Sequence, residues 1–338
     1  MINWGKIDNK TILVTGATGL IGKTLVEYLL RRNEEYNKKT IIIATGRSKE
    51  KFLSRYSDVA LTDCIKFFEQ DVNNKFEIDE KIDYIIHLAS NTHPVLYATD
   101  PINTIMANVL GTYNLLELAS QNEKCCFFLM SSGDIYGDNI ANKKFITEDD
   151  CGYIDCNTLR AGYIEGKRAS EALCNAYLEE RYIDFFIGRL CRVFGPNMQL
   201  NESKAISQFI LKAAAGEDIL LKSSGEQIFS YLSASDAVEA MLYIISNGKS
   251  GEAYNISDND LTMTLKDLAY LIGEIGGVNV VQSVPKATEQ KGASNFKNVC
   301  LDSTKLKSLG WEPKKSIEDG LKETIYYLRG NMIKKDEG

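Results

Sequence analysis

The chain has 338 residues, 44% of them hydrophobic and 25% charged, with 39 Lys plus Arg against 46 Asp plus Glu and a formal net charge of −7. That length suits roughly two soluble domains, and the acidic balance excludes general nucleic-acid binding, which needs a basic surface. His87 and His93 are the only two histidines, so a three-histidine metal site is excluded, a Ser-His-Asp hydrolase has little room, and acid–base work falls to Tyr, Lys, Asp, Glu or Cys.

The first ten residues, Met1 to Lys10, mix charges and hold no apolar stretch of the kind a secretory signal carries. Apolar runs reach about six residues, against the ~20 that cross a bilayer. Eight cysteines, at 64, 125, 126, 151, 156, 174, 191 and 300, form no C-x-x-C pair, and most sit in apolar stretches such as Cys125-Cys126-Phe127-Phe128-Leu129. They read as buried free thiols of a reducing compartment, not as a disulfide framework or a metal site. The expectation is a cytoplasmic protein without metal, membrane or nucleic-acid partners.

Strands are expected at 11–15, 40–45, 65–70, 83–89, 124–131 and 183–190, with helices between them, notably 20–32, 99–120 and 160–181. Near-continuous apolar strands alternating with helices mean a parallel sheet covered on both faces. Right-handed crossovers make that sheet doubly wound. After Gly195-Pro196 the segments shorten, and Gly, Ser, Asn and charge interrupt them. Helices are expected near 203–215, 236–247 and 264–276, and short strands near 219–222, 228–232 and 253–257. Thr264 and Asp267 have the spacing of a capping box. The expected architecture is α/β: a dinucleotide-binding domain over 1–182, whose sheet also takes the strand 183–190, and a smaller mixed α/β substrate domain over 191–330 with some interleaving.

One helix is apolar almost all round. Within 99–120, Ile102, Ile105, Met106, Val109, Leu110, Tyr113, Leu115, Leu116 and Leu118 cover most of its circumference, which predicts burial on two sides. One side faces the sheet. The other faces either a partner subunit or the second domain, and a homodimer through helices 99–120 and 160–181 is the expectation.

Residues 15–22 read TGATGLIG, after the first strand and at the head of the first helix. In that setting Gly16 suits the tight turn, Gly19 the approach of a pyrophosphate and Gly22 close helix–strand packing. The pyrophosphate would rest on backbone N–H groups at the helix N-terminus, around Thr18, Leu20 and Ile21. An NAD site usually ends strand two on an acid that bonds the ribose, but here that strand ends Ala44-Thr45-Gly46-Arg47-Ser48. Arg47 is either a grip for a 2′-phosphate, favouring NADP, or a solvated loop charge. Asp71 and Val72, after strand three, suit the adenine, with an ordinary strand-end Asp as the alternative reading. Leu88, Ala89 and Ser90 after strand four, with Asn108, complete the expected cofactor site.

Tyr163 and Lys167 form Y-x-x-x-K inside a helical pattern. Spacing of i,i+4 puts both on one helix face, and a nearby ammonium is expected to lower the phenol pKa from its ordinary ~10. Tyr163 would then take a hydroxyl proton while hydride leaves the same carbon. Ser132 follows strand five, where open α/β sheets bind ligands, and can hydrogen-bond the reacting oxygen. Asp134 is either a second acid or base or a turn residue. His87 reads as a packed core residue and His93 as part of a loop bordering the substrate.

These motifs make the chain resemble the extended short-chain dehydrogenase/reductases, the NAD-dependent epimerase/dehydratase family, over nearly its whole length. The helix segment Arg160-Ala161-x-Tyr163-x-Glu165-Gly166-Lys167-Arg168, continuing to Glu171, Cys174 and Tyr177, resembles that of UDP-glucuronate decarboxylases, as does Phe194-Gly195-Pro196-x-Met198. The resemblance implies a Rossmann sheet, bound NAD with NADP as the alternative, and Ser132, Tyr163 and Lys167 as catalytic triad. It places Asp134 where dehydratases and decarboxylases usually carry Glu. The implied reaction oxidises a sugar C4 hydroxyl, releases CO2 and re-reduces C4; epimerisation, 4,6-dehydration and NADP-dependent reduction are the alternatives. The family usually carries an Arg where this chain has Phe229, and an Asn where it has Arg192. Phe cannot replace a bidentate phosphate ligand, so Arg192, Lys204 and Lys222 are the substrate-binding candidates.

Overall fold

The protein is described from a computed structural model, which covers residues 1–57, 63–138, 143–284 and 298–336, with side chains to residue 332. Short runs of β-branched and aromatic residues make the strands of the main sheet: β1 Thr11–Thr15, β2 Ile41–Gly46, β3 Ile65–Glu69, β4 Tyr84–His87, β5 Cys126–Ser132, β6 Phe185–Leu190 and β10 Glu252–Ile256. They are parallel and lie in the order β10-β6-β5-β4-β1-β2-β3. Consecutive residues Ile12, Leu13 and Val14 are all fully buried, as strands covered on both faces must be. Phe127, Phe128 and Phe185 are buried in the same way, each stabilising the sheet by about 2–3 kcal/mol through apolar burial.

The strand order reverses between β1 and β4, and their register pairs Thr15 with His87. Ligands of open α/β sheets bind in the crevice beyond the carboxyl ends of the strands at such a point. β10 comes from the second half of the chain, and the helix leading to it, Ala234–Asn247, packs on the first helix, Leu20–Tyr36 (α1).

The helix expected over 99–120 is present as Pro101–Ser120, and a separate short helix precedes it. Pro94–Thr99 (α3) ends at Asp100 with φ −142 and ψ 54, and Pro101–Ser120 (α4) follows. The Pro101 ring pushes residue 100 out of the helical region. Leu115, Leu116 and Leu118 of α4 are buried, and the helix lies against Ala161–Arg181 (α5). Its outer face is not covered: Ile102 is 74% exposed, and Ile105, Met106 and Tyr113 are exposed beside it. Among the described residues, none beyond 191 covers this face.

A smaller sheet stands over the crevice. Arg192–Phe194 (β7) and Asn298–Val299 (β13) pair in parallel with Ile228–Ser233 (β9), and Thr262–Thr264 (β11) pairs with it antiparallel. A two-stranded piece joins Ile219–Leu221 (β8) to Val280–Gln282 (β12). Helices Ala205–Ala214 (α6) and Leu265–Gly276 (α8) pack together beside them. Thr264 caps α8 as its spacing predicts: Asp267 N–H donates to Thr264 Oγ1 at 3.0 Å, and that hydroxyl donates to the Asp267 carboxylate at 2.7 Å. No helix among the described residues is long and apolar enough to cross a membrane.

Candidate active site

The glycine loop joins β1 to α1. Gly16 has φ +67, a left-handed conformation that only glycine adopts without strain. A Cβ on Gly22 would stand 2.3 Å from the Gly16 carbonyl oxygen, so only glycine lets α1 approach the strand this closely. Gly19 caps α1 without a side-chain acceptor, which leaves first-turn N–H groups open to an anion. Thr15 ties this loop to its neighbour: its hydroxyl bonds His87 Nδ1 at 2.8 Å and accepts the N–H groups of Leu88 and Ala89 at 3.2 and 3.1 Å. Burial lowers His87 to about 3, so the ring is neutral. It is the packed core residue expected of it.

The polar cluster lies beyond β5 and β6. Ser132 caps a single helical turn by accepting the Asp134 N–H at 3.1 Å, which buries Asp134 beside it. Tyr163 and Lys167 lie one turn apart on α5 and are both buried. The expected lowering of the Tyr163 pKa by Lys167 is not what the chain alone produces. Burial, then Asp134, pushes the phenol up to about 12, against a downward pull from a Ser132 hydrogen bond and from Arg192 and Arg160. Lys167 Nζ instead donates to the Met130 carbonyl at 2.8 Å. Burial brings Lys167 down to about 8, with Glu171 opposing.

Asp134 is pinned from both sides. Arg160 Nη2 donates to one carboxylate oxygen at 2.5 Å and Arg192 Nη2 to the other at 2.9 Å. Burial alone would raise its pKa; the two guanidiniums outweigh that and hold the carboxyl below its usual range. Asp134 is therefore held as an ion-pair partner of both arginines in this fold. Beneath it, Arg189 bonds Glu171 at 2.8 Å and the Tyr136 hydroxyl at 3.0 Å, and Ser131 donates to Glu171 at 2.5 Å, which anchors the floor of the site.

The crevice is one cavity of about 1140 Å³. Gly16, Thr18, Gly19, Leu20, Ile21 and Gly22 line it at one end, with Arg47, Asp71 and Val72 near the adenosine position and Leu88, Ala89 and Ser90 between. Ser132, Asp134, Tyr163, Lys167, Arg192, Lys204 and Lys222 line its other end, as do His93 and Cys191. Asn108 is the exception among the expected cofactor residues. It is fully buried behind the lining, where it accepts the Ser90 hydroxyl at 2.9 Å.

A dinucleotide fits these residues. The glycine cradle leaves no room for side chains, the α1 terminus is open, and the buried Thr45 Oγ1 at the adenosine end has no partner among the described residues. Sequence reasoning missed three site residues. Tyr97 stacks on Tyr163, Arg160 pins Asp134, and Tyr231 lines the cavity. Arg160 stands one turn before Tyr163, a spacing that would have flagged it.

A profile described as the NAD dependent epimerase/dehydratase family matches residues 12–257. UDP-glucuronic acid decarboxylase 6 of Arabidopsis thaliana is 31% identical over 339 residues, covering 97% of this chain and 92% of that protein. UDP-glucuronic acid decarboxylase 1 of Xenopus tropicalis is 29% identical over 331 residues, covering 96% and 73%. The solved UDP-glucose 4-epimerase of Thermotoga maritima, with UDP-glucose, matches with a TM-score of 0.79 at 25% identity, covering 95% of this chain and 99% of that one.

Proposed function

This chain belongs to the NAD dependent epimerase/dehydratase family, and on that premise we propose that it converts a nucleotide-linked uronic acid by oxidation at C4, loss of the C5 carboxyl as CO2 and re-reduction of C4, with no net redox change. The observation that carries this reading is Asp134 held between Arg160 and Arg192 beside Ser132 and Tyr163. Arg192 and Lys204 bring positive charge to the cavity wall where the sugar ring would lie, which suits an anionic sugar. The arrangement also leaves no free carboxylate at Asp134. A 4,6-elimination needs such a group to take the C5 proton, whereas loss of CO2 from a β-keto acid needs no base at C5.

When bound, NAD would supply a hydride acceptor and donor and a positive ring that favours the phenolate of Tyr163. Tyr163 takes the C4 hydroxyl proton as C4 gives up its hydrogen with the bonding pair. Ser132 orients that oxygen, and Lys167 adds positive charge behind the phenol. The C4 ketone is β to the C5 carboxylate, so the C5–C6 bond breaks, its electron pair enters the C4–C5 enolate, and CO2 leaves. A proton from water returns to C5, the hydride to C4, and the Tyr163 proton to the C4 oxygen. The glycine loop, Arg47, Asp71, Val72 and the 88–90 turn hold the dinucleotide, while the segments beyond residue 191 read the substrate. The apolar outer face of α4, with α5, pairs with a second copy of the chain.

A thermal-shift panel of UDP-glucuronate, UDP-glucose, dTDP-glucose and CDP-glucose tests the substrate class, because a bound ligand raises apparent stability. The largest shift is expected with UDP-glucuronate. A larger shift with a neutral sugar nucleotide would overturn the uronate reading.

A further inference from the structure

Three side chains share one face of the small sheet. Arg192 on β7 is the register partner of Tyr231 on β9, and Phe229 is two residues from Tyr231 on the same strand, so it points the same way. All three line the cavity. The Arg192 guanidinium lies over the Phe229 ring, 4.9 Å from its centroid, and one of its nitrogens is taken by Asp134 at 2.9 Å. Among the described residues it makes no other hydrogen bond. A planar guanidinium has five donors in a fixed fork. With one edge on Asp134 and one face on an aromatic ring, the remaining donors form a rigid, unoccupied grip.

Tyr231 is the second observation. It is 1% exposed, and its hydroxyl has no hydrogen-bond partner among the described residues. Buried polar groups in folded proteins are normally paired, so an orphan hydroxyl on the cavity wall marks where a ligand oxygen would sit. The charges agree. Arg192 shares Asp134 with Arg160, and Lys204, also on the wall beside Glu202, adds a second cation there.

We propose that Arg192 and the Tyr231 hydroxyl together receive the carboxylate of the reacting sugar, with Asp134 as the positioning residue that sets the angle of the arginine. This rests on the nucleotide-uronate reading above. The diphosphate is the other anion of such a substrate, and the placement argues against it. Asp134, which fixes Arg192, is hydrogen-bonded through its own N–H to Ser132 Oγ at 3.1 Å, so the arginine is anchored beside the reacting oxygen. In a pyranose, C5 with its carboxylate adjoins C4, whereas the diphosphate on C1 lies across the ring.

Calorimetric titration with UDP, UDP-glucose and UDP-glucuronate tests the assignment. The wild type is expected to prefer UDP-glucuronate over UDP-glucose by at least about tenfold, the scale of one charge-assisted contact. Arg192→Gln should bring that ratio near one and leave UDP binding unchanged; Arg192→Lys should keep part of the preference, and Tyr231→Phe should lower it by a few-fold. Asp134→Asn should also lower the ratio without altering UDP affinity, and Asp134→Glu should restore part of it. Thermal melts of each variant separate loss of fold from loss of contact, and Arg192→Lys and Tyr231→Phe keep the test valid if Arg192→Gln does not fold. A ratio unmoved by every folded variant would overturn the proposal. Equal weakening of all three ligands in Arg192→Gln or Arg192→Lys would place Arg192 at the diphosphate and overturn it too. A wild type that binds UDP and UDP-glucose but not UDP-glucuronate would sink the uronate reading itself.

Discussion

The ring of Tyr97 stacks on that of Tyr163, with centroids 4.9 Å apart and planes 21° apart. Tyr97 comes from α3, the short helix set off from α4 by Asp100. Arg160, one turn before Tyr163, lies over the other ring of the pair, 5.5 Å from the Tyr97 centroid. The phenol that would move the proton is thus held from the side by an aromatic partner and from below by its own helix.

Tyr163→Phe removes the proton carrier but keeps the ring and its stacking. It should abolish turnover and leave the melting temperature near that of the wild type. Tyr97→Leu loses a contact worth about 0.5–1.5 kcal/mol and loosens the phenol. It should lower kcat by roughly tenfold with little change in UDP affinity. Turnover near wild type in Tyr163→Phe would refute the role given to this residue.

His87 predicts how stability responds to acid. Its folded pKa, near 3, lies below the unfolded value of 6.5 because burial and Lys167 disfavour the charged ring. A lowered value means that the unfolded chain binds the proton first. The stabilisation is therefore complete above pH 6.5 and is lost as pH falls from 6.5 towards 3. The slope from this one group is about 1.4 kcal/mol per pH unit. Urea unfolding of wild type and His87→Asn between pH 6.5 and 5 should show that slope in the wild type and its absence in the variant. Equal slopes would mean that His87 carries its proton inside the fold.

Ile105 and Met106 are exposed on the α4 face proposed to pair with a second copy. A charge at the centre of an apolar interface is strongly unfavourable, so Ile105→Glu combined with Met106→Lys should convert a dimer into a monomer in sedimentation experiments. The same variant should keep its far-ultraviolet circular dichroism, because neither side chain enters the core. A wild-type chain that sediments as a monomer at micromolar concentration would overturn the pairing.

The parts of this molecule that are legible in its sequence are local. Gly16, Gly19 and Gly22 sit within one turn between a strand and a helix, and Tyr163 and Lys167 are one helical turn apart, so their neighbourhood follows from their spacing. The parts that are not legible depend on pairing at a distance. Arg160 and Arg192 reach Asp134 from 26 and 58 residues away, and nothing near Asp134 in the chain announces either. β10 reads as one more short strand of the second domain, yet it pairs with β6 in the main sheet. The Tyr163 pKa runs opposite to the spacing argument because burial and Asp134 raise it while the Lys167 ammonium is directed at the Met130 carbonyl. The helix expected from residue 99 starts two residues later, at Pro101, because the proline ring keeps Asp100 out of the helical region.

The most direct measurement is the yield of CO2 and of reduced cofactor when the protein consumes UDP-glucuronate in the presence of NAD. The account predicts one CO2 for each sugar nucleotide consumed, a UDP-pentose product, and no accumulation of reduced cofactor at any time in the reaction. Reduced cofactor formed or consumed in step with product, or an isomer of unchanged mass formed without CO2, would contradict it.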